Sequence, residues 1–119
     1  MLKIMFVCHG NICRSPMAEA IFSDMVKKTG LEDKISVNSS ATSSEEIYRG
    51  IGNPIYPPAL SELKKHKIPT YDHRATKLLK SDYDEYDFFL GMDSANIRNM
   101  NFIFGGDKDE KIYKLLSFT

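Results

Sequence analysis

The chain has 119 residues, 42% of them hydrophobic, with sixteen Lys or Arg against sixteen Asp or Glu and no net charge. That composition suits one globular domain over 1–119, and its charge balance points to no nucleic acid and no membrane as partner. The apolar runs are too short to span a bilayer, the start is not signal-like and two cysteines make no disulfide framework, so a cytoplasmic location with reduced thiols is expected.

Leu2-Lys3-Ile4-Met5-Phe6-Val7 is short, mostly apolar and free of turn formers, which predicts a buried strand. A helix should follow, with Ser15 as its N-cap, Pro16 at the first helical position and Gly30 as its stop after Lys27 and Lys28. Ala18, Ile21, Phe22, Met25 and Val26 recur at helical spacing and predict its apolar stripe. A second strand is expected over Ile35–Ser39, then a long Ser-, Gly- and Pro-rich loop over 40–58. Pro58-Ala59-Leu60 should open a helix that stops near His66-Lys67, with a brief helix around Ala75–Leu79. Tyr86–Met92 reads as a third strand, Asp93 or Ser94 as the cap of a helix from Ala95 to about Met100, and Lys111–Phe118 as a fourth strand. Strands alternating with helices predict an α/β fold: a doubly wound four-stranded parallel sheet flanked by helices. In such sheets ligands sit beyond the carboxyl ends of the strands, and Cys8 lies at one.

Between the first strand and the first helix runs Cys8-His9-Gly10-Asn11-Ile12-Cys13-Arg14-Ser15-Pro16, a thiol followed after five residues by an arginine. A phosphate monoester needs hydrogen-bond donors and positive potential. Successive backbone N–H groups from His9 to Ser15, turning into a helix N-terminus, supply both. Gly10 allows close backbone approach, and Asn11 tolerates left-handed geometry. Arg14 offers a forked guanidinium that grips two phosphate oxygens, and the same field favours a thiolate at Cys8. Ser15 can aim a hydroxyl at that sulfur and help it leave. The cysteine-to-arginine spacing alone is a modest indication; with Gly10, Asn11, Ser15, Pro16 and the strand-to-helix setting it specifies a phosphate loop with its own nucleophile. A Walker-type loop would need Gly-Lys-Ser/Thr, and the spacing of Cys8, His9 and Cys13 matches no common zinc site, so neither a metal nor another cofactor is expected.

The motif Cys8-x-Gly10-Asn11-Ile12-Cys13-Arg14-Ser15-Pro16-x-Ala18-Glu19 resembles the signature of the low-molecular-weight protein tyrosine phosphatases. The likeness continues in Ser39–Ser43, Gly52-Asn53-Pro54, His66–Pro69, His73-Arg74-Ala75 and Met92-Asp93-x-x-Asn96. It implies a metal-free hydrolysis of phosphotyrosine in a protein or peptide through a cysteinyl-phosphate, with Cys8 as nucleophile and Arg14 as clamp. Inorganic phosphate, sulfate or vanadate should occupy the same loop. The resemblance also implies that Asn11, Ser15, Ser39 and His73 brace the loop and that Cys13 can bond reversibly to Cys8 under oxidation. Ser39 as an ordinary strand residue and His73 as a solvated turn residue are the plainer alternatives. Tyr48, in the insertion Ile47-Tyr48-Arg49-Gly50, is either a wall for the substrate ring or an exposed loop tyrosine.

The family's Asp-Pro pair, whose aspartate protonates the leaving phenolate, occurs nowhere in this chain. The expectation is a truncated copy without the acid loop and last helix, slow by the roughly 10²–10⁴ that general-acid catalysis is worth. Asp107 and Asp109 are weak substitutes, and Asp93 reads as a helix cap rather than a catalyst. Three other functions share the fold. A phosphoarginine phosphatase tends to carry threonine where Ile12 stands, an arsenate reductase of this kind needs cysteines after Cys13, and a non-catalytic oxyanion-binding module would not need the thiol.

Overall fold

The computed structural model describes residues 1–115. A run of apolar, unbranched and β-branched side chains gives strand β1 (Leu2–Cys8), buried from Ile4 onward. Helix α1 (Arg14–Lys28) follows, then β2 (Ile35–Ala41), the short β3 (Ile47–Tyr48) and β4 (Ile51–Gly52), and α2 (Pro57–Lys65). After these come α3 (Asp82–Glu85), β5 (Phe88–Gly91), α4 (Ser94–Phe104) and β6 (Ile112–Lys114). The sheet has the order β2-β1-β5-β6, with every pair parallel. The chain leaves β1 toward β2 and returns on its other side to β5. The carboxyl end of β1, where Cys8 sits, is therefore the point at which the strand order reverses. No helix among the described residues is long and apolar enough to cross a membrane.

One sheet face carries Met5, Val7 and Phe89, packed on Leu78, Tyr83, Tyr86, Met100 and Phe104. Phe89 is fully buried, with its ring 4.8 Å from that of Phe104. The other face carries Phe6, whose ring meets Phe22 of α1 edge-on at 5.8 Å. Beside it an apolar groove of about 320 Å³ runs between Ile4, Phe6, Phe22, Phe88, Leu90 and Leu115.

Several expectations need correction. Ser15 does not cap α1: the N-cap position is Cys13, without a side-chain bond to the helix, and the Ser15 hydroxyl turns inward. Pro16 is accordingly the third helical residue, still within the turn whose N–H groups have no helical partner. The predicted stripe of α1 is buried only in part. Val26 is buried and Phe22 packs on Phe6, whereas Ile21 and Met25 are exposed. Ala20, outside the stripe, is buried because α2 docks on α1, where it meets Ile55, Ala59 and Leu63.

The loop over 40–58 contains a hairpin, β3 with β4, and β2 runs two residues further than expected. No helix forms at 75–79. Ala41 N–H donates to the Thr76 carbonyl at 2.7 Å, and Leu78 N–H donates to the Ala41 carbonyl at 2.8 Å, so the segment lies along β2. The short helix instead is α3, where Asp82 Oδ2 accepts from Leu79 N–H at 2.8 Å. Helix α4 begins at Asp93, which forms a capping box with Asn96, and runs to Gly105, a left-handed residue. The fourth strand is observed at Ile112–Lys114; its predicted continuation over 116–118 lies outside the described residues.

Candidate active site

The sulfur of Cys8 is buried at the end of β1 and faces two hydrogen-bond partners. Ser15 Oγ lies 3.0 Å from it, and the Asn11 N–H donates to it at 3.3 Å. Strand β1 presents the thiol, and α1 returns Ser15 beneath it. The intervening loop closes because Asn11 adopts φ 59°, the left-handed geometry its short amide side chain accepts. The fully buried Asn11 side chain is satisfied at both ends: Nδ2 donates to Ser15 Oγ at 2.8 Å, and Oδ1 accepts from Thr76 N–H at 2.9 Å. Its carbonyl lies 2.6 Å from His73 Nε2. His73 is thus a buried residue against the loop, not a solvated turn residue.

Gly10 has no positive φ, so conformational freedom is not what the position requires. A Cβ there would lie 3.1 Å from Glu46 Cγ, so its role is close approach to the hairpin. The His9 side chain points outward, with Nε2 2.9 Å from Glu45 Oε1. The Ile12 carbonyl accepts from Tyr56 N–H at 2.6 Å, tying the loop to the start of α2. Cys8 and Cys13 are both free thiols, and half-buried Cys13 packs against the α1–α2 cluster.

Arg14, the first residue of α1, is half-exposed, and its Nη1 donates to Asp93 Oδ2 at 2.7 Å. Asp93 also accepts from Asn96 N–H at 2.9 Å with its other oxygen, so one carboxylate caps α4 and orients the guanidinium. Arg14 and then the α4 amides hold the Asp93 carboxyl below the usual carboxylate range despite some burial. In the reverse direction Asp93 raises the Arg14 guanidinium further above its ordinary value.

Ser39 Oγ donates to Glu19 Oε1 at 2.5 Å, which anchors β2 to α1 behind the loop. Glu19 also faces Tyr71, whose phenol is pushed up by burial and then by the Glu19 charge and hydrogen bond. Tyr71 meets His73 edge-on at 6.1 Å. Tyr48 is not buried against the loop: it is 70% exposed, with the Arg49 guanidinium 5.3 Å from its ring centre. Asp107 is far from the thiol at the amino ends of the strands, where it accepts from the Tyr83 hydroxyl at 2.7 Å and from the N–H groups of Lys111 and Ile112. The Asp109 N–H donates to the same Tyr83 hydroxyl at 2.9 Å. A cavity of about 580 Å³ opens at that end between Lys80, Tyr83, Phe104 and Lys108 and does not touch the loop.

Sequence reasoning missed the Arg14–Asp93 pair, the Thr76 amide and the contact of Glu46 with Gly10. The first was within reach, because β5 neighbours β1 and Asp93 lies just past its end.

The sequence model of the low molecular weight phosphotyrosine protein phosphatase family matches residues 3–119. The chain is 45% identical over 101 residues to the low molecular weight phosphotyrosine protein phosphatase of Schizosaccharomyces pombe, covering 84% of this chain and 62% of that one. The crystal structure of YfkJ from Bacillus subtilis superposes with a TM-score of 0.93 at 36% identity, covering 100% of this chain and 72% of that one. The low molecular weight protein tyrosine phosphatase SP-PTP from Streptococcus pyogenes gives 0.85 at 36% identity, with 96% and 71% covered. The chain therefore spans roughly three fifths to three quarters of the length of these relatives.

Proposed function

Because the chain belongs to the low molecular weight phosphotyrosine protein phosphatase family, we propose that it hydrolyses phosphotyrosine in proteins or peptides through a cysteinyl-phosphate. The observation that carries this reading is the Cys8 sulfur between Ser15 Oγ at 3.0 Å and the Asn11 N–H at 3.3 Å, at a helix start that also bears Arg14.

The Cys8 thiolate attacks phosphorus as the bond to the phenolic oxygen breaks, and that oxygen leaves with the electron pair. Charge spreads onto the three equatorial oxygens, where the loop amides, the positive end of α1 and Arg14 face it. Asp93 holds one edge of the guanidinium and leaves the rest for phosphate. A water then attacks phosphorus, the S–P bond breaks, and the Ser15 hydroxyl stabilises the departing sulfur anion. Release of inorganic phosphate restores the thiolate.

None of Asp93, Asp107 and Asp109 supplies the leaving-group proton: Asp107 and Asp109 sit around Tyr83 away from the loop, and Asp93 is held ionised beside Arg14. The residues described thus suffice for an aryl phosphate whose phenolate leaves unprotonated. Rapid-quench reaction with such an ester should yield one equivalent of acid-labile phosphoenzyme, absent in Cys8→Ala. Turnover that survives Cys8→Ser would overturn the reading.

A further inference from the structure

The hairpin of β3 and β4 has one covered face and one open face, and the open face begins at the loop. Its ladder pairs Ile47 with Gly52 and Tyr48 with Ile51, and the Asn53 N–H extends it to the Glu46 carbonyl at 2.8 Å. Alternation along each strand puts Ile47 and Gly52 on one side and Glu46, Tyr48, Ile51 and Asn53 on the other. The first side is packed: a Cβ on Gly52 would lie 2.0 Å from the Ala75 carbonyl oxygen. On the second side Asn53 Nδ2 donates to Glu46 Oε2 at 3.3 Å, and Tyr48 and Ile51 are 70% and 68% exposed. Glu46 is where this side meets the phosphate loop, its Cγ against Gly10.

Chemically the face is ordered. Nearest the loop is the Glu46 carboxylate, which accepts from the neutral Asn53 amide; among the described residues no cation pairs with it. Two residues further lie the Tyr48 ring and Ile51, and the Arg49 guanidinium stands over that ring at the tip. A dianionic phosphate seated beside Glu46 is repelled by it unless the substrate brings its own positive charge.

We propose that this open face receives the polypeptide flanking the phosphotyrosine and selects a basic residue beside it, followed outward by an apolar one. The proposal rests on the phosphatase reading and adds its substrate class. Glu46 pairs with the basic side chain. About 7 Å further out, two residues along an extended chain, Tyr48 and Ile51 cover the apolar one. The arrangement makes Glu46 a specificity determinant, not a participant in the chemistry.

The test compares two phosphotyrosine peptides that differ only in carrying Lys or Glu on both sides of the phosphotyrosine. The Lys peptide should have a kcat/KM about five-fold higher, the size of an exposed ion pair. Glu46→Gln should bring the ratio near one, as should high salt. In a second pair, Leu against Ser two residues beyond the Lys, the preference for Leu should appear in KM and vanish in Ile51→Ser. Equal rates for the Lys and Glu peptides, a preference for Glu, or a ratio that Glu46→Gln leaves intact would overturn the proposal. A small aryl phosphate separates the two claims. If it is not hydrolysed, the phosphatase reading fails, and peptide binding to Cys8→Ser then decides the flank preference alone. If it is hydrolysed while the peptides are indistinguishable, only the flank preference fails.

Discussion

His73 Nε2 lies 2.6 Å from the carbonyl oxygen of Asn11, a residue 62 positions earlier in the chain. The contact pins the one left-handed residue of the phosphate loop from outside, while Thr76 and Ser15 hold its side chain. Asn11→Ala leaves the Thr76 amide without its acceptor and puts a less tolerant residue in left-handed geometry. It should cost about 2–3 kcal/mol in urea unfolding and abolish tight vanadate binding.

Ser15→Ala removes the hydroxyl 3.0 Å from the Cys8 sulfur. The sulfur is then a poorer leaving group, so breakdown of the phosphoenzyme should slow about ten- to hundredfold, the size of a hydrogen bond to a charged group. A burst of phenolate equal to one equivalent of protein, followed by slow turnover, is the expected trace. Absence of the burst with unchanged turnover would show that Ser15 does not serve the sulfur.

Asp93 joins two duties that substitutions can separate. Asp93→Ala should lower stability by about 1 kcal/mol through the lost cap and weaken phosphate binding through the freed Arg14. Asp93→Asn keeps its one oxygen for the cap but puts an NH2 group where the oxygen that accepts from Arg14 stood, so that bond is lost. Thermal unfolding should return nearly to the parent value, with phosphate affinity remaining close to that of Asp93→Ala.

Asp107 sets an acid limit on stability. Burial works to raise its carboxyl, but the Tyr83 hydroxyl and the N–H groups of Lys111 and Ile112 outweigh it and hold it below the ordinary value. A carboxyl lowered by folding contributes stability above its unfolded value of about 3.9, lost as pH falls through the folded one. Asp107→Asn should be less stable at pH 7 and should show a flatter loss of stability below about pH 4 in denaturant titrations.

With Asp93 committed to Arg14 and Asp107 and Asp109 placed around Tyr83, the 119-residue chain should depend steeply on its leaving group. Aryl phosphates with acidic phenols should outpace phenyl phosphate by about 10²–10⁴, the range that a positioned acid would otherwise supply. Equal rates across a series of substituted phenyl phosphates would reveal an acid among the residues present.

Local chemistry made much of this protein legible in advance. Strand β1, the loop from Cys8 to Ser15 and the start of α1 are contiguous, and their physics is that of neighbours: an apolar run, a left-handed asparagine, a helix start. The cap at Asp93 belongs to the same class, because its partner Asn96 is one turn away. The helix expected at 75–79 fails for the opposite reason. Its residues favour helix in isolation, but Ala41 takes the backbone groups of Thr76 and Leu78 and keeps the segment extended.

Tertiary structure alone decided the rest. Ser15 reads as a cap until the fold brings Cys8 and Asn11 around its hydroxyl. The stripe of α1 is written at the right spacing, and Val26 and Phe22 follow it, yet the docking of α2 adds Ala20 to the buried side. Arg14 finds Asp93 79 residues away because β5 lies beside β1. Residue types state which atoms can make a bond. Where the partners lie far apart along the chain, only the packed sheet says which of them meet.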